Sequence, residues 1–304
     1  MEAPARPAAR EPRSATIDLD IPVHFLEWEG DGGASFVLVH GLGGSALNWT
    51  LTGPLLADRG RVLAVDLAGH GRTRRASRPS SIEANRALLD EFIGATTDGP
   101  VVLAGNSMGG DISILEAAER PDRVVALVLV DAALPALGEG DPLVAQTFAA
   151  YATPGVGEQL MKVFRETAGP RGMVEYVFGM CCVDVSRIPP EVVTEHVEQL
   201  SEHLDEERDA GFLESARTMI TLLTDPDRLR SAIEAVTAPT LVVTGDSDRL
   251  VPIEATRAMA ALRPDWTLEV LGGLGHIPHL EDPERFVRVT TAWLDRIGLA
   301  PAAP

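Results

Sequence analysis

The stretch Val101-Val102-Leu103-Ala104-Gly105-Asn106-Ser107-Met108-Gly109-Gly110 runs from a short apolar segment through a turn into a helical texture that lasts until Pro121. A serine lifted to the tip of a sharp strand-to-helix turn needs glycine two residues to either side, because a Cβ there would collide with neighbouring backbone. Gly105 and Gly109 meet that demand, so Ser107 is expected to project where a ligand can reach it. Alone, the same turn would also suit a serine that merely caps the following helix, so the flanking segments decide.

Similar runs recur at Phe36 to Val39, Val62 to Val65, Val124 to Val130, Leu241 to Val243 and Leu268 to Leu271, and Gly-bearing turns and helical segments recur between them. Continuous apolarity suits strands covered on both faces, as in parallel sheets with crossover helices. The predicted class is α/β. Ahead of these runs, Ile17 to Leu19 and Val23 to Trp28 flank Asp20-Ile21-Pro22 and predict a hairpin at one sheet edge. From Leu134 to about Ala238 the strand pattern stops, and Val193, Val197, Leu200 and Leu204 fall at helical spacing with acidic residues opposite. The organisation expected is a loose tail (1–14), a core (15–133 and 239–304) and an inserted helical lid (134–238). The acidic run Glu202 to Asp209 is read as a solvated helix face. Asp282 caps and Pro283 opens a last helix whose Phe286, Val289, Trp293 and Ile297 form a core stripe.

The chain has 304 residues, 45% of them apolar, and 26 basic against 45 acidic side chains give a formal charge of -19. Such a charge repels nucleic acid and anionic membrane surfaces, so neither is an expected partner. No apolar run approaches the roughly 20 residues that span a bilayer, and Met1 to Ser14 lacks an apolar signal core, so a cytoplasmic location is expected. The two cysteines, Cys181 and Cys182, are adjacent, and sequence neighbours rarely reach disulfide geometry. Zinc spacings, a P-loop and a dinucleotide fingerprint in its βαβ setting do not occur; no cofactor and no metal are implied.

The Gly105 to Gly109 turn, the glycine loop His40-Gly41-Leu42-Gly43-Gly44 after an apolar run, and Gly272 to His276 near the end together resemble the α/β-hydrolase superfamily over about residues 17–297. The resemblance implies a mostly parallel eight-stranded sheet with a helical lid inserted after the sixth strand. It also implies a triad in the order nucleophile, acid, histidine: Ser107, Asp248 and His276. A hydroxyl is a weak nucleophile at neutral pH, hence the imidazole that takes its proton and the acid that orients the imidazole. His279 competes for the base; Asp246 and, at the end of the sixth apolar run, Asp131 compete for the acid. The oxyanion donors implied are the backbone N–H groups of Leu42 and Met108, with His40 bracing its loop.

Residues expected to meet substrate are Gly41, Trp49, Asn106, Phe148, Phe178, Leu250 and Ile277, with Trp49 serving either as pocket wall or as packing for the first helix. The lid reads as aliphatic, with little aromatic bulk: Leu143, Val144, Leu160, Val163, Phe164, Val177, Met219, Ile220 and Leu223 are further wall candidates. Arg72, Arg74, Arg75 and Arg78 form a positive cluster, read as a solvated loop or as an attractor for an acidic substrate group. The function expected is a serine hydrolase that cleaves carboxylic esters with small to medium hydrophobic acyl groups through an acyl-enzyme. The alternatives are a carbon–carbon bond hydrolase, against which Gly43-Gly44 and Ile277 depart from the usual pattern, and a non-catalytic ligand-binding relative.

Overall fold

The computed structural model describes residues 10–30, 33–134 and 141–299. The expected tail over 1–9 and the start of the expected lid over 135–140 lie outside them. One sheet holds β1 (Arg13–Asp18), β2 (Pro22–Trp28), β3 (Ser35–Val39), β4 (Val62–Val65), β5 (Val101–Asn106), β6 (Val124–Val130), β7 (Thr240–Gly245) and β8 (Thr267–Leu271), in the order β1-β2-β4-β3-β5-β6-β7-β8. The pairs β1/β2 and β2/β4 are antiparallel, and the remaining neighbours are parallel. The edge hairpin is therefore present. It starts inside the stretch read as tail, because Arg13 pairs with Glu27 across the ladder and also bonds to its carboxylate.

The apolar runs resolve into alternation once the sheet has two covered faces. Val37, Val39, Leu103, Leu127 and Leu129 enter one core layer, and Phe36, Leu38, Val102, Val128 and Val130 enter the other. None is more than 2% exposed, and each such burial contributes about 1.5–3 kcal/mol. On the first layer lie α1 (Ile82–Thr96) and α2 (Met108–Glu119). Between β6 and β7 come α3 (Pro142–Ala152), α4 (Val156–Cys181), α5 (Pro190–Glu202), α6 (Glu206–Leu223) and α7 (Pro226–Ala235); α8 (Ile253–Leu262) and α9 (Pro283–Arg296) follow later. The α4 span breaks at Gly169, where φ is 61° ahead of Pro170. Asp282 caps α9 through the Arg285 N–H, and Phe286, Trp293 and Leu294 seal the second layer.

Two expectations are corrected. Leu204 lies beyond the end of α5, so it does not continue the Val193, Val197 and Leu200 stripe. The acidic run is no bare solvated face: Arg72 pairs with Glu202 at 2.7 Å, Arg74 with Asp205 at 2.6 Å and with Glu207, and Arg165 with Asp209 at 3.0 Å. Arg75 pairs with Glu214, and Arg78 with Glu91 and Asp20. The arginine cluster is thus neutralised by carboxylates, Glu202, Asp205, Glu207 and Glu214 of the insertion and Glu91 and Asp20 of the core, and is not a free attractor for anions.

Burial also sets a pH dependence. His70 and His279 are almost fully enclosed, and burial holds both imidazoles down to about 3. An unfolded histidine titrates near 6.5, so the unfolded chain takes up protons first and stability is lost as the pH falls from about 6.5 toward 3. His279→Leu removes one such group while leaving an apolar neighbour for Trp49. Urea unfolding between roughly pH 7 and pH 5 should cost this variant about 2 kcal/mol less than wild type; equal losses would refute the assignment.

Candidate active site

Ser107 joins β5 to α2 with φ 53° and ψ −123°, a region that side-chain-bearing residues avoid unless the surroundings hold them there. Its N–H donates to Val130 O at 3.0 Å, and its carbonyl accepts from Gly110 N at 2.8 Å and Ala133 N at 3.2 Å. A Cβ on Gly105 would fall 2.2 Å from Gly109 O, and one on Gly109 would fall 2.5 Å from His40 O. The two glycines let α2 close onto β5 and β3, which is the requirement read from the sequence.

His276 Nδ1 donates to Asp248 Oδ2 at 2.7 Å, and the Asp248 carboxylate is fully buried. Asp248 Oδ1 accepts from Leu250 N at 2.7 Å and Val251 N at 3.1 Å, which fixes its plane. With Nδ1 so committed, Nε2 is the ring nitrogen left for chemistry. The backbone of His276 is tied on both sides: its N–H donates to Cys181 O at 2.7 Å, and its carbonyl accepts from Asn106 Nδ2 at 3.0 Å. Ser107 and His276 line one cavity of about 860 Å³ under the inserted helices. An alcohol, an imidazole and a carboxylate are therefore brought to one place.

Of the competing residues, His279 and Asp246 fall elsewhere, whereas Asp131 lies beside Asp248. His279 is sealed between Trp49, with ring centroids 4.2 Å apart, and Phe286. Asp246 is exposed and accepts from Gly273 N at 2.8 Å and Ser247 Oγ at 2.9 Å, which makes it a turn former. Asp131 is buried, with Oδ1 accepting from Thr244 Oγ1 at 2.7 Å and Gly245 N at 3.0 Å. Burial and the nearby Asp248 charge push its pKa well above the usual carboxylate range.

Met108 opens α2, where its N–H has no intrahelical acceptor and the helix dipole favours an anion. Among the described residues neither the Met108 nor the Leu42 N–H has a protein acceptor. His40 Nδ1 donates to Gly41 O at 2.8 Å, while its Nε2 accepts from Leu67 N at 3.1 Å, so it braces the loop as expected. A Cβ on Gly41 would lie 3.0 Å from Ser107 Cβ. Among the described residues no cluster of histidine, cysteine, aspartate or glutamate could hold a metal ion, and no helix is long and apolar enough to cross a membrane.

Gly41, Leu42, Asn106, Phe148, Phe178, Leu250 and Ile277 line the Ser107 cavity. Trp49 does not: the turn Ala46–Trp49 directs it into the core against His279 and Phe286. Leu143, Leu160 and Val163 face outward, at 51%, 37% and 43% exposure, whereas Val177 and Met219 do reach the cavity. The wall is more aromatic than expected, because Tyr151, Tyr176 and Phe212 join Phe148 and Phe178. These come from three different helices, and only their packing brings them together. Glu281 was also missed. Buried, it accepts from Gly275 N at 2.9 Å, Val183 N at 3.1 Å and Asp184 N at 3.0 Å, tying the insertion to the His276 loop.

The model of the alpha/beta hydrolase family matches residues 36–289. The dihydrolipoyllysine-residue acetyltransferase component of the acetoin cleaving system of Pseudomonas putida is 31% identical over 90% of this chain; the chain spans 66% of that protein's length. The 2-hydroxy-6-oxo-6-(2'-aminophenyl)hexa-2,4-dienoic acid hydrolase of Metapseudomonas resinovorans is 28% identical over 88% of this chain and 86% of its own. Among solved structures, the haloalkane dehalogenase DatA of Agrobacterium tumefaciens is similar in fold, with a TM-score of 0.79 at 21% identity, over 95% of this chain and 98% of that one.

The approach of the insertion to the candidate base is checked at Gly275, where a Cβ would fall 2.2 Å from Cys181 O. Gly275→Ala should lower kcat/KM by at least about tenfold and lower the melting temperature, since backbone and not a flexible side chain must yield. Unchanged kinetics would mean that the Cys181 to His276 link does not hold the imidazole in place.

Proposed function

Because the chain belongs to the alpha/beta hydrolase family, we propose that it is a serine hydrolase that cleaves carboxylic esters with small to medium hydrophobic acyl groups through an acyl-enzyme. The observation that carries the reading is the 2.7 Å bond from His276 Nδ1 to the buried Asp248 carboxylate, with Ser107 on the same cavity. Ser107 Oγ attacks the carbonyl while His276 Nε2 takes its proton. Asp248 keeps the imidazole in the required tautomer and balances the charge it acquires. The oxyanion is received by the N–H groups of Leu42 and Met108, each worth roughly a hundredfold to a thousandfold in turnover. His276 returns the proton to the leaving alcohol, and water then repeats the sequence on the acyl group.

The inserted helices serve in this reading as a lid whose aromatic and aliphatic inner face accepts the acyl chain. Carbon–carbon bond cleavage of diketone acids is the second reading, favoured by the likeness to the Metapseudomonas 2-hydroxy-6-oxo-6-(2'-aminophenyl)hexa-2,4-dienoic acid hydrolase. A ligand-binding protein without turnover would not need the His276–Asp248 pair, and that pair argues against it.

A fluorophosphonate probe should label wild type and not Ser107→Ala; labelling that survives in the variant would reject Ser107 as the nucleophile. p-Nitrophenyl esters of rising chain length, run beside a vinylogous diketone acid, decide the reaction: ester turnover with a short or medium optimum is expected, and fast diketone cleavage with negligible ester turnover would transfer the assignment to carbon–carbon chemistry. Asp248→Asn should lower kcat by roughly ten-thousandfold, and Asp131→Asn by far less. The reverse order would give the acid role to Asp131.

A further inference from the structure

We infer that the space adjoining the candidate catalytic cavity holds a carboxylate subsite centred on Arg208, so that the substrate is an acyl compound with an acidic group remote from the bond that is cleaved. The inference deepens the serine-hydrolase reading and rests on it for the reaction. Beside the Ser107 cavity lies a second space of about 700 Å³, and Asn48, Tyr151, Val177, Phe178 and Phe212 line both. Arg208, in the first turn of α6, lines the second space.

Its acidic neighbours Asp205 and Asp209 attract it, but neither forms an ion pair with it. Asp205 and Glu207 are held by Arg74, and Asp209 is held by Arg165. Among the described residues the Arg208 guanidinium has neither an ion pair nor a side-chain hydrogen bond, in contrast to Arg72, Arg74, Arg75 and Arg78 on the facing loop. Burial draws its pKa below the usual arginine value, as expected of a cation short of solvent and partners.

A second observation points to the same place. Gln199 is only 6% exposed, and its Nε2 has no hydrogen-bond partner. With Arg208 and His196 it lines a third space of about 410 Å³ that shares Gly43, Gly44 and Leu200 with the second. His196 Nδ1 donates to Val192 O at 2.8 Å, and burial holds this imidazole down to about 4, so it is neutral and the charge of the site is that of Arg208. One guanidinium fork and one amide N–H match a monoanionic carboxylate, whereas a phosphate dianion would call for a further cation. The aromatic walls between Ser107 and Arg208 suit an apolar spacer.

The test uses p-nitrophenyl hydrogen glutarate, adipate and suberate beside the matched pentanoate, hexanoate and octanoate. Wild type should prefer the acid over the neutral ester at one of these lengths. In Arg208→Gln that ratio of kcat/KM should fall roughly ten- to hundredfold, mainly through KM, with a smaller fall in Gln199→Leu. A ratio that is the same in wild type and Arg208→Gln overturns the subsite. Calorimetry of monomethyl adipate binding to the full-length Ser107→Ala protein, with and without Arg208→Gln, separates this from the reaction. Tenfold or greater weakening by Arg208→Gln supports the subsite even if no ester is turned over, and equal affinity, or no binding to either protein, refutes it.

Discussion

Ser107 holds a backbone conformation that an L-residue avoids, and most of what lies around it exists to impose that conformation. The strand β5 delivers the chain to the turn, the hydrogen bonds that Ser107 donates to Val130 O and accepts from Ala133 N hold the peptide planes on either side, and α2 starts at once beyond it. Gly105 and Gly109 allow the approach because carbonyl oxygens already occupy the volume a methyl group would need. The parallel sheet follows from the same demand: only a strand flanked by β3 and β6 on both edges can bring a loop from each neighbour to one point above its carboxyl end. The remaining groups arrive from those neighbours, Leu42 after β3, Asp131 after β6, Asp248 after β7 and His276 after β8.

Much of this was legible in the sequence, for physical reasons. Buried parallel strands have no solvated face, so their apolarity is unbroken and stands out over four to seven residues, as in Val101–Asn106 and Val124–Val130. The Gly105 to Gly109 spacing reports a steric need at the turn, and the strand before it and the helix after it give that spacing its meaning. The His276 and Asp248 positions came from likeness to a family, and the coordinates set the two side chains in hydrogen-bonding contact.

What was not legible depends on packing between segments distant in sequence. Nothing local distinguishes Trp49, which turns into the core, from Phe148, which turns into the cavity. Tyr151, Tyr176 and Phe212 meet only because α3, α4 and α6 converge. The arginines after β4 looked free because the carboxylates that answer them lie far along the chain, on α5, on α6 and in the turn between those helices. Arg208, set among acids in the sequence, forms an ion pair with none of them, because Arg74 and Arg165 hold those carboxylates. Glu281 shows the reverse case: a charged residue beside a helix start reads as solvated, yet it receives backbone N–H groups from two chain segments and has no water-facing surface to speak of.

The left-handed turn at Ser107 also bears on how such a scaffold diversifies. A β-branched threonine would set a second heavy atom on a Cβ that packs closely on Gly41, where even an added Gly41 Cβ would come within 3.0 Å of Ser107 Cβ. Unbranched side chains, cysteine or aspartate among them, carry one substituent on Cβ and would fit the same elbow. Heritable change of chemistry at this position is thereby channelled toward a few chemical types, while the frame around it stays intact.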